Sequence, residues 1–234
     1  AESYNCWLCN SPFYIHSLNR RHTMKITIRN ETETDYRAVE ELTREAFWNL
    51  NFPGCSEHYL IHVLRSHADF IPELDLVAEA DGKIVGSIIY SKSKLTDEKG
   101  NEKDILTFGP LSVSPEYQRK GIGKALIEHS FIKAAELGYD TVVIFGSPSN
   151  YISRGFKSCK KYNVSLNGYF PTAMLVKELK ENALDGRSWN FSESSAFDID
   201  ENAAEEFDKT FESKEKVYSK SQEEFFIYSH SSVN

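Results

Sequence analysis

The sequence predicts an α/β protein with a central mixed β-sheet flanked by helices. Three observations carry that prediction. Asp81-Gly82 lies between two runs of alternating apolar residues, the strongest short hairpin signal in the chain. A further run at 104–113 leads through a short turn into a helical stretch closed by Gly138, and the β-branched run Thr141–Phe145 follows. Hairpins ahead of a β-α-β unit call for a mixed sheet with helices on both faces.

In chain order, residues 25–29 place Ile26 and Ile28 on one side of a first strand. Thr32-x-x-Asp35 has the form of a capping box, and the helix after it carries Val39, Leu42, Ala46 and Leu50 on one stripe. Pro53-Gly54 breaks the chain. Ser56 then caps a second helix with Tyr59, Leu60, Val63 and Leu64 turned inward. Strands are expected at 74–80, 83–91 and 104–113, with a polar loop at 96–101. The long helix runs from Gly121 to Leu137. A buried strand at 141–145, a short helix before Gly155-Phe156, and a last strand at 172–179 complete the order β-α-α-β-β-β-α-β-α-β.

The chain has 234 residues, 40% of them hydrophobic and 26% charged. This suffices for one sizeable core or one domain with an appendage, and no apolar run approaches the ~20 residues that span a bilayer. The formal net charge is −8. Residues 180–234 hold 13 acidic against 6 basic side chains, while 24–179 are near neutral. That balance speaks against nucleic acid, which needs clustered Lys and Arg. The acidic segment reads first as a solvated surface. Its Trp189, Phe191, Phe197, Phe207, Phe211, Phe225, Phe226 and Tyr228 are too aromatic for plain disorder, so 180–234 is expected to pack on the domain. Residues 1–23 read as a leader foreign to the rest, non-native or disordered, with Met24 as the natural start and a targeting segment as the other reading. Cys6-x-x-Cys9 has half the spacing of a zinc site but no matching second pair, so no metal is expected. Cys55 and Cys159 read as isolated thiols of a reducing, cytoplasmic compartment.

The chemistry concentrates in Leu111-Ser-Val-Ser-Pro-Glu-Tyr-Gln-Arg-Lys-Gly-Ile-Gly-Lys124. A strand turns directly into a helix start, where backbone N–H groups and the positive end of the helix dipole are unpaired. Gly121 and Gly123 remove side chains there, and Arg119, Lys120 and Lys124 add positive charge, which reads as a pyrophosphate cradle. The P-loop and dinucleotide-binding patterns are both absent. A lone G-x-G is also compatible with a merely flexible helix start.

Gln118-Arg-Lys-Gly-Ile-Gly123 matches the Q/R-x-x-G-x-G/A signature of the GNAT acetyltransferases. Gly109-Pro-Leu-Ser-Val-Ser-Pro-Glu-Tyr117 resembles the strand that leads into that signature, and Tyr151-Ile-Ser-Arg-Gly-Phe156 resembles the family's Y-x-x-x-G-F segment. On these three motifs, in order, residues 24–179 are identified as a GNAT N-acetyltransferase domain. The resemblance implies that amides of Arg119, Lys120, Gly121, Ile122, Gly123 and Lys124, with Gln118 opening the signature, bind the pyrophosphate of acetyl-CoA. It implies that the strand ending at Val113 splays from the next, so that Leu111 and Val113 pair with the pantetheine arm and the Leu111 N–H polarises the acetyl carbonyl. Tyr151 falls where the family often places the general acid for the leaving thiolate, and it also reads as a packing residue beside Phe156. Ile144 departs from the pattern, because many members carry Asn there. Gly146-Ser-Pro-Ser-Asn-Tyr151 resembles the G-D-P-x-Y-Y variant of a bacterial subgroup of acetyltransferases with a C-terminal extension. Glu57, His58, His62 and Asp75 are candidates for a general base, none of them singled out. The resemblance implies an enzyme that acetylates an unidentified primary amine, small or peptidyl. A non-catalytic acyl-CoA-binding regulatory module is the alternative, and a homodimer stays open.

Overall fold

The structure is a computed structural model that describes residues 13–15 and 24–233. Most of the leader, with Cys6 and Cys9, lies outside the described residues. Among the described residues, ten strands form one mixed sheet. Strand β1 (Phe13–Ile15) lies at one edge against β2 (Met24–Asn30), in a leader read without regular structure. The sheet continues antiparallel through β3 (Leu76–Ala80), β4 (Lys83–Asp97) and β5 (Glu102–Val113). Strand β6 (Thr141–Phe145) joins β5 in parallel. Beyond it lie β9 (Met174–Glu178) and β7 (Lys157–Ser158), both antiparallel additions.

The β3–β4 turn follows from its residues. Asp81 and Gly82 sit at φ of 50° and 77°, the left-handed pair that a two-residue hairpin of this hand needs. Strand β4 is longer than its sequence pattern predicts. Pairing with β5 extends to Thr96↔Glu102, so the expected polar loop shrinks to a tight turn. Asp97 ties that turn, its carboxylate accepting from the amides of Asn101 (2.8 Å) and Lys99 (2.9 Å).

Helices α1 (Tyr36–Phe47) and α2 (Glu57–Leu64) pack on one face, and α3 (Ile122–Glu136) packs on the other. Alternation along β4 divides the core between them. Ile88 and Tyr90 meet Ile122 and Leu126 of α3, whereas Ile89 meets Val39, Ile61 and Leu64 of α1 and α2. Val39 and Leu42 are buried as expected, but α1 ends at Phe47, so Leu50 lies beyond it and is exposed. Helix α2 turns differently from the expected face: His58, Ile61 and Leu64 are buried, and Tyr59, Leu60 and Val63 are not. Ile61 and Leu64 pack with Val77 and Ile89 of the sheet, while His58 is covered by the C-terminal extension, whose Phe207 and Phe211 lie 5.5 and 5.1 Å from its ring.

That extension enters the sheet itself. Strand β10 (Trp189–Ser192) pairs antiparallel with the second half of β4 and parallel with β8 (Val164–Ser165). Trp189 and Phe191 are buried with Leu95, Ile105, Val143 and Val176. Helix α5 (Glu201–Asp208) then packs beside α2, and α6 (Lys220–Ser229) follows. Among the described residues no helix is long and apolar enough to cross a membrane.

Candidate active site

The sheet opens between β5 and β6. Among the described residues the two strands share one ladder pair, Leu106↔Val142. Beyond it, β5 runs on to Val113 beside β4 alone. The pairing Ile88↔Leu111 is followed by Tyr90↔Phe108, so Gly109 and Pro110 together oppose Ile89 in a bulge on β5. Pro110 has no N–H to give to a ladder, which suits the point where the strand leaves its neighbour. The Ser114 amide donates to the Val85 carbonyl at 2.9 Å. Backbone direction alternates along a strand, so Ser112 also faces β4, and Leu111 and Val113 turn their polar groups toward the open wedge. The Gln118 side chain confirms the direction by donating to the Val113 carbonyl at 3.2 Å.

The strand turns through Pro115–Tyr117 into the start of α3. Arg119 sits at φ 59° and Gly121 at φ 88°, two left-handed residues that fold the chain tightly before the helix. The Ala125 amide bonds to the Gly121 carbonyl at 3.0 Å. The amides of Ile122, Gly123 and Lys124 therefore precede the first intrahelical bond, and their cap, Gly121, has no side chain to occupy them. A Cβ on Gly123 would stand 3.6 Å from Val113 and 3.8 Å from Leu111. The helix start thus packs on the Leu111 and Val113 side chains at the end of β5. Ile122 buries its side chain against Gly86, so it offers the site its backbone only. Arg119, Lys120 and Lys124 are exposed around the loop, with Lys120 over the Tyr117 ring at 4.8 Å.

Tyr151 ends the single turn α4 (Pro148–Tyr151). Its ring lies 5.8 Å from Phe108 of β5 and 5.8 Å from Phe156. Gly146 makes room for it, because a Cβ there would come within 2.6 Å of Tyr151 Cε2. Burial, helped by the nearby Tyr228 hydroxyl, pushes Tyr151 up to about 12. The phenol therefore keeps its proton at neutral pH. The Phe108 contact places it beside the residue that precedes the β5 bulge, while Leu111, Val113 and Gly123 meet at the start of α3. Ile144 is a core residue.

The four candidate bases separate clearly. His58 is fully buried, its Nε2 3.1 Å from Asp208 and its Nδ1 3.4 Å from Cys55 Sγ; burial holds it down at about 4. His62 pairs with Glu40 at 3.0 Å and lies 4.5 Å from the Phe207 ring. Asp75 sits in a buried network with Glu31 and Arg65, and burial beside the Glu31 carboxylate holds it well above the usual carboxylate range. Glu57 accepts from Asn51 Nδ2 at 2.9 Å and from the Ser56 amide at 3.1 Å, and burial raises it. Among the described residues no cluster of His, Cys, Asp and Glu could hold a metal ion.

A mixed sheet split between two parallel strands, with a bare helix start against the open edge, defines the acyl-CoA N-acyltransferase fold. The model of the acetyltransferase (GNAT) family matches residues 38–157. The chain is 33% identical over 137 residues to the uncharacterized N-acetyltransferase YjhQ of Escherichia coli K12, covering 58% of this chain and 70% of that relative. It superposes on the GNAT family N-acetyltransferase YhbS of Escherichia coli in complex with CoA with a TM-score of 0.65 at 24% identity, over 77% of this chain and 96% of that one. A GNAT family acetyltransferase from Brucella melitensis in complex with acetyl-CoA superposes with a TM-score of 0.58 at 24% identity, over 74% and 97%. The chain belongs to the GNAT acetyltransferase family.

Proposed function

We propose that the protein transfers an acetyl group from acetyl-CoA to a primary amine by direct attack inside the β5–β6 wedge. The observation that carries this reading is the bare start of α3 packed on the side chains of Leu111 and Val113, whose backbone groups face away from β4. Acetyl-CoA supplies the acetyl group as a thioester with a thiolate leaving group. Unpaired amides from Arg119 to Lys124, with the dipole of α3 behind them, suit the diphosphate. Leu111 and Val113 offer an extended edge to the amide-bearing arm. The Leu111 N–H is the donor for the carbonyl oxygen as charge develops on it. Tyr151 delivers a proton to the departing sulfur and regains it from water, and the nitrogen that attacks as the neutral amine releases its proton to water. A tyrosine held protonated beside the wedge favours an enzyme over a non-catalytic acyl-CoA-binding module.

The test is a thiol-release assay with acetyl-CoA and a panel of amines. Transfer is expected for the parent, and Tyr151→Phe should turn over about 10²-fold more slowly with acetyl-CoA affinity retained. Parent-rate turnover by Tyr151→Phe would make the tyrosine a packing residue.

A further inference from the structure

Helix α6 is tied at both ends and crosses the wedge. At its start, Ser219 Oγ and Gln222 Nε2 donate to the Asn49 carbonyl at 2.8 and 3.0 Å, and Ser221 Oγ donates to the Leu50 carbonyl at 2.7 Å. These carbonyls belong to the α1–α2 connection, on the β2–β5 side of the split. Past its end, the Thr172 amide donates to the Ser231 carbonyl at 2.9 Å, and the Val233 amide to the Phe170 carbonyl at 2.8 Å. Phe170 and Thr172 lead into β9, on the other side. A helix fastened to both halves of a split sheet bridges the split.

The bridge has an inner and an outer side. Ser221, Gln222, Phe225 and Tyr228 follow helical spacing on the shielded side, while Phe226 (57%) and Ile227 (60%) face solvent. Tyr228, near the far end, approaches Tyr151. At the near end, Leu50 adjoins Asn51, which holds the Glu57 carboxylate. From Ser221 to Tyr228 the helix advances about 10 Å, with the loop that leads to Glu57 at its near end and Tyr151 at its far end.

Glu57 differs from its neighbours. Glu31 and Glu40 share Arg65, and Asp208 holds Arg44. Among the described residues Glu57 has no Lys, Arg or His within ion-pairing distance. It is recessed enough for burial to raise it, yet it still touches solvent. Its donors, Asn51 and the Ser56 amide, are neutral, so a cation brought beside it would add a charge-assisted contact.

We infer that the acceptor is a small cationic amine enclosed beneath α6, and that the Glu57 carboxylate receives its ammonium group, which gives one proton to water before the nitrogen attacks. The inference rests on the acetyl-transfer reading above. A helix fastened at both ends works against an extended polypeptide acceptor, which would have to thread beneath it.

The experiment uses the full chain with saturating acetyl-CoA. The probes are 1,4-diaminobutane, benzylamine and a lysine-containing hexapeptide with a free N-terminus, and the readout is thiol release. Turnover of at least one small amine and none of the peptide is expected. Glu57→Gln should raise the amine KM about tenfold or more, the size of one lost charge-assisted contact, with melting temperature and acetyl-CoA affinity unchanged. Glu57→Asp should restore part of the loss. Peptide turnover equal to or above that of the small amines would overturn the inference and leave acetyl transfer standing. So would Glu57→Gln with the parent KM. Acetyl-CoA binding without turnover of any probe would remove the proposed function itself, and this inference with it.

Discussion

Asp208→Ala should unlock the C-terminal extension at a calculable cost. Arg44 of α1 places Nε 2.7 Å and Nη2 3.3 Å from the two carboxylate oxygens of Asp208, the last residue of α5. The Arg44 side chain is 4% exposed and that of Asp208 16%. His58, held neutral by burial, contributes no charge to the pair at pH 7. Removing the carboxylate leaves a buried guanidinium with the faces of Trp48 (4.3 Å) and Phe211 (5.4 Å) as its partners. Breaking one side of a buried pair costs ~3–5 kcal/mol, and residual solvent at Asp208 puts this pair near ~3. For a chain of this size each kcal/mol moves the midpoint by about 2–4 °C, so the melting temperature should fall by about 6–12 °C. Lys214→Ala is the control: its partner Glu45 and its own side chain are 50% and 32% exposed, and the loss should stay under about 1 kcal/mol. The assay is calorimetric or fluorescence melting of both variants against the parent. If Asp208→Ala melts as close to the parent as Lys214→Ala does, the extension is not locked through this pair.

Two further variants probe other parts of the molecule. Gly146→Ala places a Cβ where the Tyr151 ring stands, so it should cut turnover at least tenfold through misplacement while acetyl-CoA affinity holds; unchanged turnover would separate Tyr151's position from catalysis. Asp75→Asn tests the buried acid network. Burial beside the Glu31 carboxylate holds Asp75 well above the usual carboxylate range in the folded state, whereas the unfolded chain ionises it near ~3.9. The folded state therefore binds the extra proton between those two ranges, and this group makes stability fall as pH rises, by up to about 1.4 kcal/mol per pH unit. The Asn variant lacks that slope, so its urea midpoint should gain on the parent from pH 5 to pH 8; a pH-independent difference would contradict the assignment.

The features legible in the sequence were those fixed by local chemistry. Asp81-Gly82 marked its hairpin because both residues adopt positive φ. Gly121 and Gly138 marked the ends of α3 because both are left-handed. The 118–124 loop was legible for the same reason, since its glycines and charges are contiguous. Features set by distant contacts were not legible. His58 faces inward because Phe207 and Phe211, some 150 residues later, cover it. The second half of β4 reads Ser91-Lys-Ser-Lys94 and lacks an apolar alternation. It is a strand because β5 and β10 flank it on both sides. Glu57 was one of four candidate bases, and nothing in the sequence set it apart from His58, His62 and Asp75, because what singles it out is the absence of a cation, a property of the folded surroundings. The role of α6 was equally hidden, because its fastenings run mostly to backbone carbonyls.

The central claim is that acetyl-CoA seats its diphosphate on the α3 start and its arm along Leu111 and Val113. The most direct measurement is a calorimetric titration of acetyl-CoA into the parent and into Gly123→Glu. A side chain at 123 points at Val113 and Leu111, within 3.6–3.8 Å at its first carbon, so the glutamate fills the slot and brings a negative charge to the cradle. Its helix position is compatible with any residue, so the variant should melt within a few degrees of the parent. The account predicts saturable binding to the parent and a loss of about 100-fold or more in the variant, the size of about 2.7 kcal/mol. Equal affinity in a folded Gly123→Glu protein would contradict it.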